Sequence, residues 1–201
     1  MLGTVILVFC LILFREKPET PPSSTEASET SKVWQNIKKV LKDRNAILLI
    51  ASFGLILGVM NTYGTIIGII SSDLGYTEAN ASLFGAVFIV GGIFGSGVFG
   101  GLVEVKKNYK QATVIICWLT FVTPLPMYFA LPTKLVWAVA LSVFWIGFSS
   151  VSILPVGIDF GVELTHPIAE SISSGLLMSS GQFFGIILTI SGSVLITNYG
   201  N

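Results

Sequence analysis

Five long runs of apolar residues, at 46–72, 81–103, 112–131, 135–157 and 171–196, decide what this chain can fold into. A helix needs about 20 residues to cross about 30 Å of hydrocarbon, and each run supplies that number. The runs are continuous and do not alternate apolar with polar residues, which excludes a closed transmembrane barrel. Charged residues make up 11% of the 201 positions. A soluble domain carries about 25%, so lipid is the expected solvent for most of this surface. The sequence predicts an all-α membrane protein that crosses the bilayer several times, in the plasma membrane or an organelle membrane. A sixth run at 1–14 is shorter and has neither a basic leader nor a small-residue cleavage site. It reads as the end of a spanning helix and not as a signal peptide.

The basic residues set the orientation. Arg15, Lys17, Lys32, Lys38, Lys39, Lys42 and Arg44 precede the first full run, and Lys106, Lys107 and Lys110 follow the second. The connection at 72–80 has no Lys or Arg, and 132–134 has one Lys. The positive-inside rule places the two basic connections on the cytoplasmic side. An acidic turn over 159–170, with Asp159, Glu163 and Glu170, is then cytoplasmic by parity. Within 15–45 the first part, KPETPPSSTEASETSK, is expected to be disordered. The second part, VWQNIKKVL, has Val33, Ile37 and Leu41 at helical spacing with lysines beside them. That pattern fits an interfacial amphipathic helix with Trp34 at headgroup depth, or simply the wet start of the next span.

Small residues recur four apart within the runs: Gly54 and Gly58, Gly64 and Gly68, Gly91 and Gly95, Gly97 and Gly101, Gly181 and Gly185. Such pairs let helix backbones approach closely where no hydrophobic effect drives association. Together they favour a tight bundle. Pro124 and Pro126 are expected to kink the third full run.

Few residues could carry chemistry. Asp159 and Glu163 are four apart and share a helical face if helix continues there; interhelical pairing with the lysine connection, a solvated loop and an ion site are the alternatives. His166 is a lone histidine. Asn61, Thr62, Tyr63 and Thr65 lie midway along the first full run and Gln182 midway along the last, where polar groups serve either as interhelical glue or as a binding cavity. With no charge at that depth, a cation would be held by ring faces and amide oxygens. Cys10 and Cys117 lie in different runs and read as small core residues. No nucleophile elbow, phosphate loop, metal-ligand spacing or haem-ligation pattern is present, so neither an enzyme nor a cofactor is expected. A basic stripe with interleaved aromatics is lacking too, so nucleic acid is not an expected partner.

FREKP at 14–18, LFGAVFIVGGIFGS at 83–96, the connection at 104–110, PVGIDFGVELTHP at 155–167 and SSGLLMSSGQFFGIILT at 173–189 resemble the feline leukaemia virus subgroup C receptor-related transporters, a branch of the major facilitator superfamily. The resemblance implies that 1–14 ends the sixth helix of that fold and that 46–201 holds helices seven to eleven, joined by a cytoplasmic loop at 15–45. The remaining helices, including an N-terminal half that would be this chain's partner, are expected outside it. The family is associated with choline and ethanolamine transport, and by older assignment with haem export. Its helix-eleven glutamine, which lines the choline site, corresponds to Gln182. Its helix-seven aromatic corresponds to Asn61, with Tyr63 two residues on and about 200° around the helix. The loop after helix eight carries the superfamily's gate spacing, with Glu104 where the acid is usually Asp.

The resulting expectation is an alternating-access transporter of a small organic solute. Asn61, Tyr63 and Gln182 would face substrate, and Gly101, Glu104, Lys107, Asp159 and Glu163 would form the cytoplasmic gate. The alternatives are a carrier of another metabolite, and a non-transporting receptor, scaffold or remnant.

Overall fold

A computed structural model describes residues 33–73 and 75–199, and no strand occurs among them. The helices are α1 (Val33–Val40), α2 (Arg44–Asp73), α3 (Glu78–Lys106), α4 (Tyr109–Val122), α5 (Pro124–Ala130), α6 (Val136–Ser150), α7 (Ile153–Thr165) and α8 (Glu170–Tyr199). A single 3₁₀ turn, Leu131–Thr133, follows α5. The chain divides into a unit Met1–Ile37 and a unit Lys38–Asn201. Of the first, only the helical residues 33–37 are described; the short apolar run at 1–14 and the segment expected to be disordered lie outside the described residues. The second unit is the helical bundle.

Five stretches of this bundle are long and apolar enough to cross a membrane: Arg44–Ile69, Glu78–Lys106, Tyr109–Thr133, Val136–Thr165 and Glu170–Leu195. They correspond to the five apolar runs. Two are built from paired helices, and proline is the cause in each. Pro124 begins α5, where a helix can do without the missing N–H, so the third span bends after Thr123. In the fourth span Pro155 cannot donate to the Val151 carbonyl. That oxygen instead accepts the Leu154 N–H at 3.1 Å, a tighter turn that separates α6 from α7.

The fourth span also corrects one expectation. Helix does not end near Gly157; α7 continues to Thr165, because Pro155 lies in its first turn, where it is tolerated. Asp159 and Glu163 therefore stand on the last turns of a helix. The connection to α8 is only residues 166–169.

Two helix pairs run side by side in the same direction. Along α2 and α8 the contacts climb together: Gly54 lies against Ser180 and Phe184, Gly58 against Gly185, and Thr62 against Thr189. Along α3 and α6, Gly91 lies on the Phe144 backbone, Gly95 on that of Phe148, and Gly147 on that of Phe88. Parallel pairing requires an odd number of spans between partners, and first with fifth and second with fourth both meet that condition. Glycine is needed in both seams because a Cβ would strike backbone atoms. Phe53, fully buried, fills the space over Gly157 and ties α2 to α7.

Several hydroxyls inside the spans return to their own helix. Thr62 donates to the Gly58 carbonyl, Ser142 to Ala138 and Ser150 to Ile146, all at 2.7–2.8 Å. Each is satisfied without water, as the bilayer core demands. At the far end from the lysine clusters, Tyr76 donates to the Leu131 carbonyl at 3.1 Å and meets Phe84 edge-on at 5.6 Å, binding the α2–α3 connection to the 3₁₀ turn.

Candidate functional site

The α2–α8 seam positions the mid-membrane polar residues. Asn61 is half-buried and lies across from Gly185; Leu57, one turn earlier, lies across from Gly181. Phe184 packs instead on Gly54 and Gly58. Passing around α8 from Phe184 to Gly185, the next side chain in the same sense is Gln182, about 60° further on. Gln182 therefore flanks the seam on the side of Asn61 and Leu57, with its side chain exposed. By helical geometry, Asn61 and Gln182 fall on one flank of the α2–α8 seam.

Tyr63 is separated from them. It lines a groove of about 700 Å³ between α2, α4–α5 and α8, with Thr62, Ile66, Thr120, Met127 and Leu188 among the lining residues. The angular separation of Asn61 and Tyr63 expected from helical geometry thus has a tertiary meaning: the two residues serve different faces. A second recess, of about 440 Å³, is lined by Met60, Phe88, Ile89, Gly92, Ile93, Ser96 and Val151. Thr65 is exposed, and its hydroxyl donates to the Asn61 carbonyl at 3.0 Å.

Hydrogen bonds hold the seam in register. The Thr62 and Thr189 hydroxyls are 3.1 Å apart, and the Ser180 hydroxyl donates across to the Ile50 carbonyl at 3.0 Å. Sequence reasoning did not single out Thr189, Ser180 or Phe184. The only signal was the i, i+4 spacing of Thr189 from Gly185 and of Ser180 from Phe184, and that spacing is shared by residues facing elsewhere.

At the lysine-bearing end, α3 closes on Lys107. This residue takes the left-handed conformation (φ 51°) and donates its N–H to the Val103 carbonyl at 2.7 Å. Gly101, Glu104 and Lys107 are exposed, as are Asp159 and Glu163 on α7. The Tyr109 and Phe160 rings stack at 6.2 Å with an interplanar angle of 8°, which brings the start of α4 to the last turns of α7. The gate candidates thus gather at one end of the bundle. Among the described residues, none of Glu104, Lys107, Asp159 and Glu163 is held in an ion pair, so the interhelical pairing considered for Asp159 and Glu163 is not made. His166 is exposed and ends α7. Cys117 is a free thiol, half-buried, and no group of three or more His, Cys, Asp or Glu gathers among the described residues.

A bundle of five apolar spans with parallel helix pairs and basic connections at one end defines a multi-pass membrane protein. The family model of the Major Facilitator Superfamily matches residues 1–201, and the chain belongs to that superfamily. It is similar to the choline/ethanolamine transporter FLVCR2 of Rattus norvegicus, 32% identical over 206 residues, which are 99% of this chain and 38% of the relative. The choline/ethanolamine transporter flvcr2a of Danio rerio is 34% identical over 98% of this chain and 44% of its own length. FLVCR1 of Mus musculus, also named a choline/ethanolamine transporter, is 30% identical over 100% of this chain and 37% of its own length. The chain thus spans about two fifths of the length of these relatives.

Proposed function

We propose that this chain forms the C-terminal bundle of an alternating-access carrier for a small organic solute of the choline or ethanolamine type. The observation that carries the reading is the position of Asn61 and Gln182 on one side of the α2–α8 seam, midway through the bundle. Carriers of this superfamily keep their sites near the bilayer midplane at the interface of two repeats. The names of the relatives support the substrate class. Chemistry supports it as well: an ammonium group is matched by amide oxygens and ring faces, and no carboxylate is needed at that depth. Gln182 accepts from or orients the substrate, and Asn61 lies beside it. Tyr63 lines the groove on the other face of α2. Gly101, Glu104, Lys107, Asp159 and Glu163 form the cytoplasmic gate, where the other half of the carrier closes against α3 and α7.

The test is radiolabelled choline and ethanolamine uptake by cells expressing the full-length carrier that contains this sequence. Gln182→Ala is expected to raise KM at least ~10-fold, the cost of one charge-assisted contact of about 1.4 kcal/mol. Surface expression should be unchanged. Uptake with unaltered kinetics would overturn the assignment.

A further inference from the structure

The amphipathic segment before the first span is not used by the transport reading. From Lys38 to Arg44 the chain carries Lys38, Lys39, Lys42 and Arg44 against the single acid Asp43, so four positive charges and one negative leave three positive. Asp43 is already engaged: its carboxylate accepts the Asn45 N–H at 2.9 Å at the start of α2. Lys38, Lys39, Lys42 and Arg44 are exposed, and none is ion-paired among the described residues. The acids at the same end, Glu104, Asp159, Glu163 and Glu170, are exposed and unpaired with these cations.

The helix geometry sorts these groups. Val40 is 3% exposed and borders a small cavity with Ala46, Leu49, Gly161, Thr165 and Leu177, which anchors the end of α1 to the bundle. Leu41, the first residue of the turn after α1, is 50% exposed. Lys38 in the last turn of α1 and Lys42 beside Leu41 are exposed as well. Trp34, earlier on α1, is 69% exposed. An exposed apolar strip edged by lysines is the pattern of a helix lying in the headgroup layer. Only residues 41–43 separate α1 from α2, whose apolar span begins at once, so covalent geometry alone keeps the strip within reach of the membrane surface.

We propose that Lys38 at the end of α1, with Leu41 and Lys42 in the turn that follows, binds anionic phospholipid headgroups of the leaflet on the lysine-rich side. Leu41 enters the interface, and the two ammonium groups meet lipid phosphates and carboxylates. Charge complementarity selects this occupant: the cytoplasmic leaflet is negative, and the strip carries uncompensated positive charge.

The test is hydrogen exchange of the α1 amides in the full chain, reconstituted in nanodiscs of phosphatidylcholine alone or with 30% phosphatidylserine. At about fivefold per lysine near an anionic surface, exchange in the anionic discs is expected to slow by roughly 25-fold. The slowing should vanish in K38E/K42E and shrink in 0.5 M salt. Protection of α2 and α8 serves as the internal measure of folding. If K38E/K42E loses it, K38Q/K42Q takes its place; it leaves Lys39, Arg44 and the 106–110 cluster to keep the orientation. Equal exchange in both kinds of disc overturns the proposal, as does slowing that survives the substitutions. Equal slowing in neutral discs with 10 mM inorganic phosphate also overturns it, because the site would then recognise free anions and not a lipid surface.

Discussion

Asn61 on α2 lies directly across from Gly185 on α8: a methyl group on Gly185 would stand 3.2 Å from the Asn61 amide nitrogen. One turn earlier the fit is harder, because a Cβ on Gly58 would meet the Gly185 backbone nitrogen at 2.9 Å. A side chain can swing aside, but a backbone cannot. Gly58→Ala is therefore expected to cost about 1–3 kcal/mol by forcing the helices apart. Gly185→Ala should cost less, since Asn61 can rotate. Reversible unfolding in mixed detergent micelles would measure both; an equal or opposite order would refute the backbone contact.

The α3–α6 seam offers a sharper contrast. A Cβ on Gly147 would land on the Phe88 carbonyl, whereas one on Gly97, on the same span as Phe88, meets nothing within 4 Å. Gly147→Ala should lower stability by about 1–3 kcal/mol. Gly97→Ala should raise it by a few tenths up to about 1 kcal/mol, because alanine favours helix more than glycine does. Both follow from thermal denaturation of the purified protein. A stable Gly147→Ala protein would mean that the seam is loose.

These glycines show what the sequence could convey. Five small-residue pairs were legible, and three of them, Gly54/Gly58, Gly91/Gly95 and Gly181/Gly185, lie in the seams. Around Gly64, Gly68, Gly97 and Gly101 there is open space. Spacing marks a face of a helix, but only the partner helix decides whether that face is covered. The same limit applies to the site. Asn61, Tyr63 and Gln182 were legible as polar groups at mid-depth, and the sequence showed that Asn61 and Tyr63 diverge. That Gln182 takes the side of Asn61 depends on how α8 meets α2. Pro155 illustrates a local ambiguity: a proline after an apolar run reads as a stop, yet it fits equally well into the first turn of a new helix.

Thr120 and Thr123 are neighbours in sequence with opposite prospects. The Thr123 hydroxyl is buried and lies 3.1 Å from the Ser149 hydroxyl of α6. The Thr120 hydroxyl is buried, with the residue 7% exposed, and has no hydrogen-bond partner. Thr123→Val should cost about 0.6 kcal/mol by removing this bond between spans, while Ser149 still donates to the Ile146 carbonyl at 3.1 Å. Thr120→Val removes an unsatisfied group and keeps the shape, so it should be neutral or stabilising. Comparing the two melting curves tests the assignment, and a destabilised Thr120→Val protein would require a partner for that hydroxyl.

The gate proposal rests on position and not on a formed ion pair. Glu104 sits in the last turn of α3, where the helix dipole disfavours a carboxylate, and the exposed Lys106 and Lys107 beside it offset that cost. The Tyr109–Phe160 stack holds the start of α4 to the last turns of α7, at the same end of the bundle as Glu104. In the full-length carrier, Glu104→Gln removes the acid that the opposing half would engage when the cytoplasmic side closes. The closed-inside state should lose about 1 kcal/mol, a roughly fivefold shift in population, toward cytoplasmic opening. A cysteine at Gly101 would then react faster with a membrane-impermeant thiol reagent applied from the cytoplasm and more slowly from outside. Labelling from both sides that matches the parent would remove Glu104 from the gate.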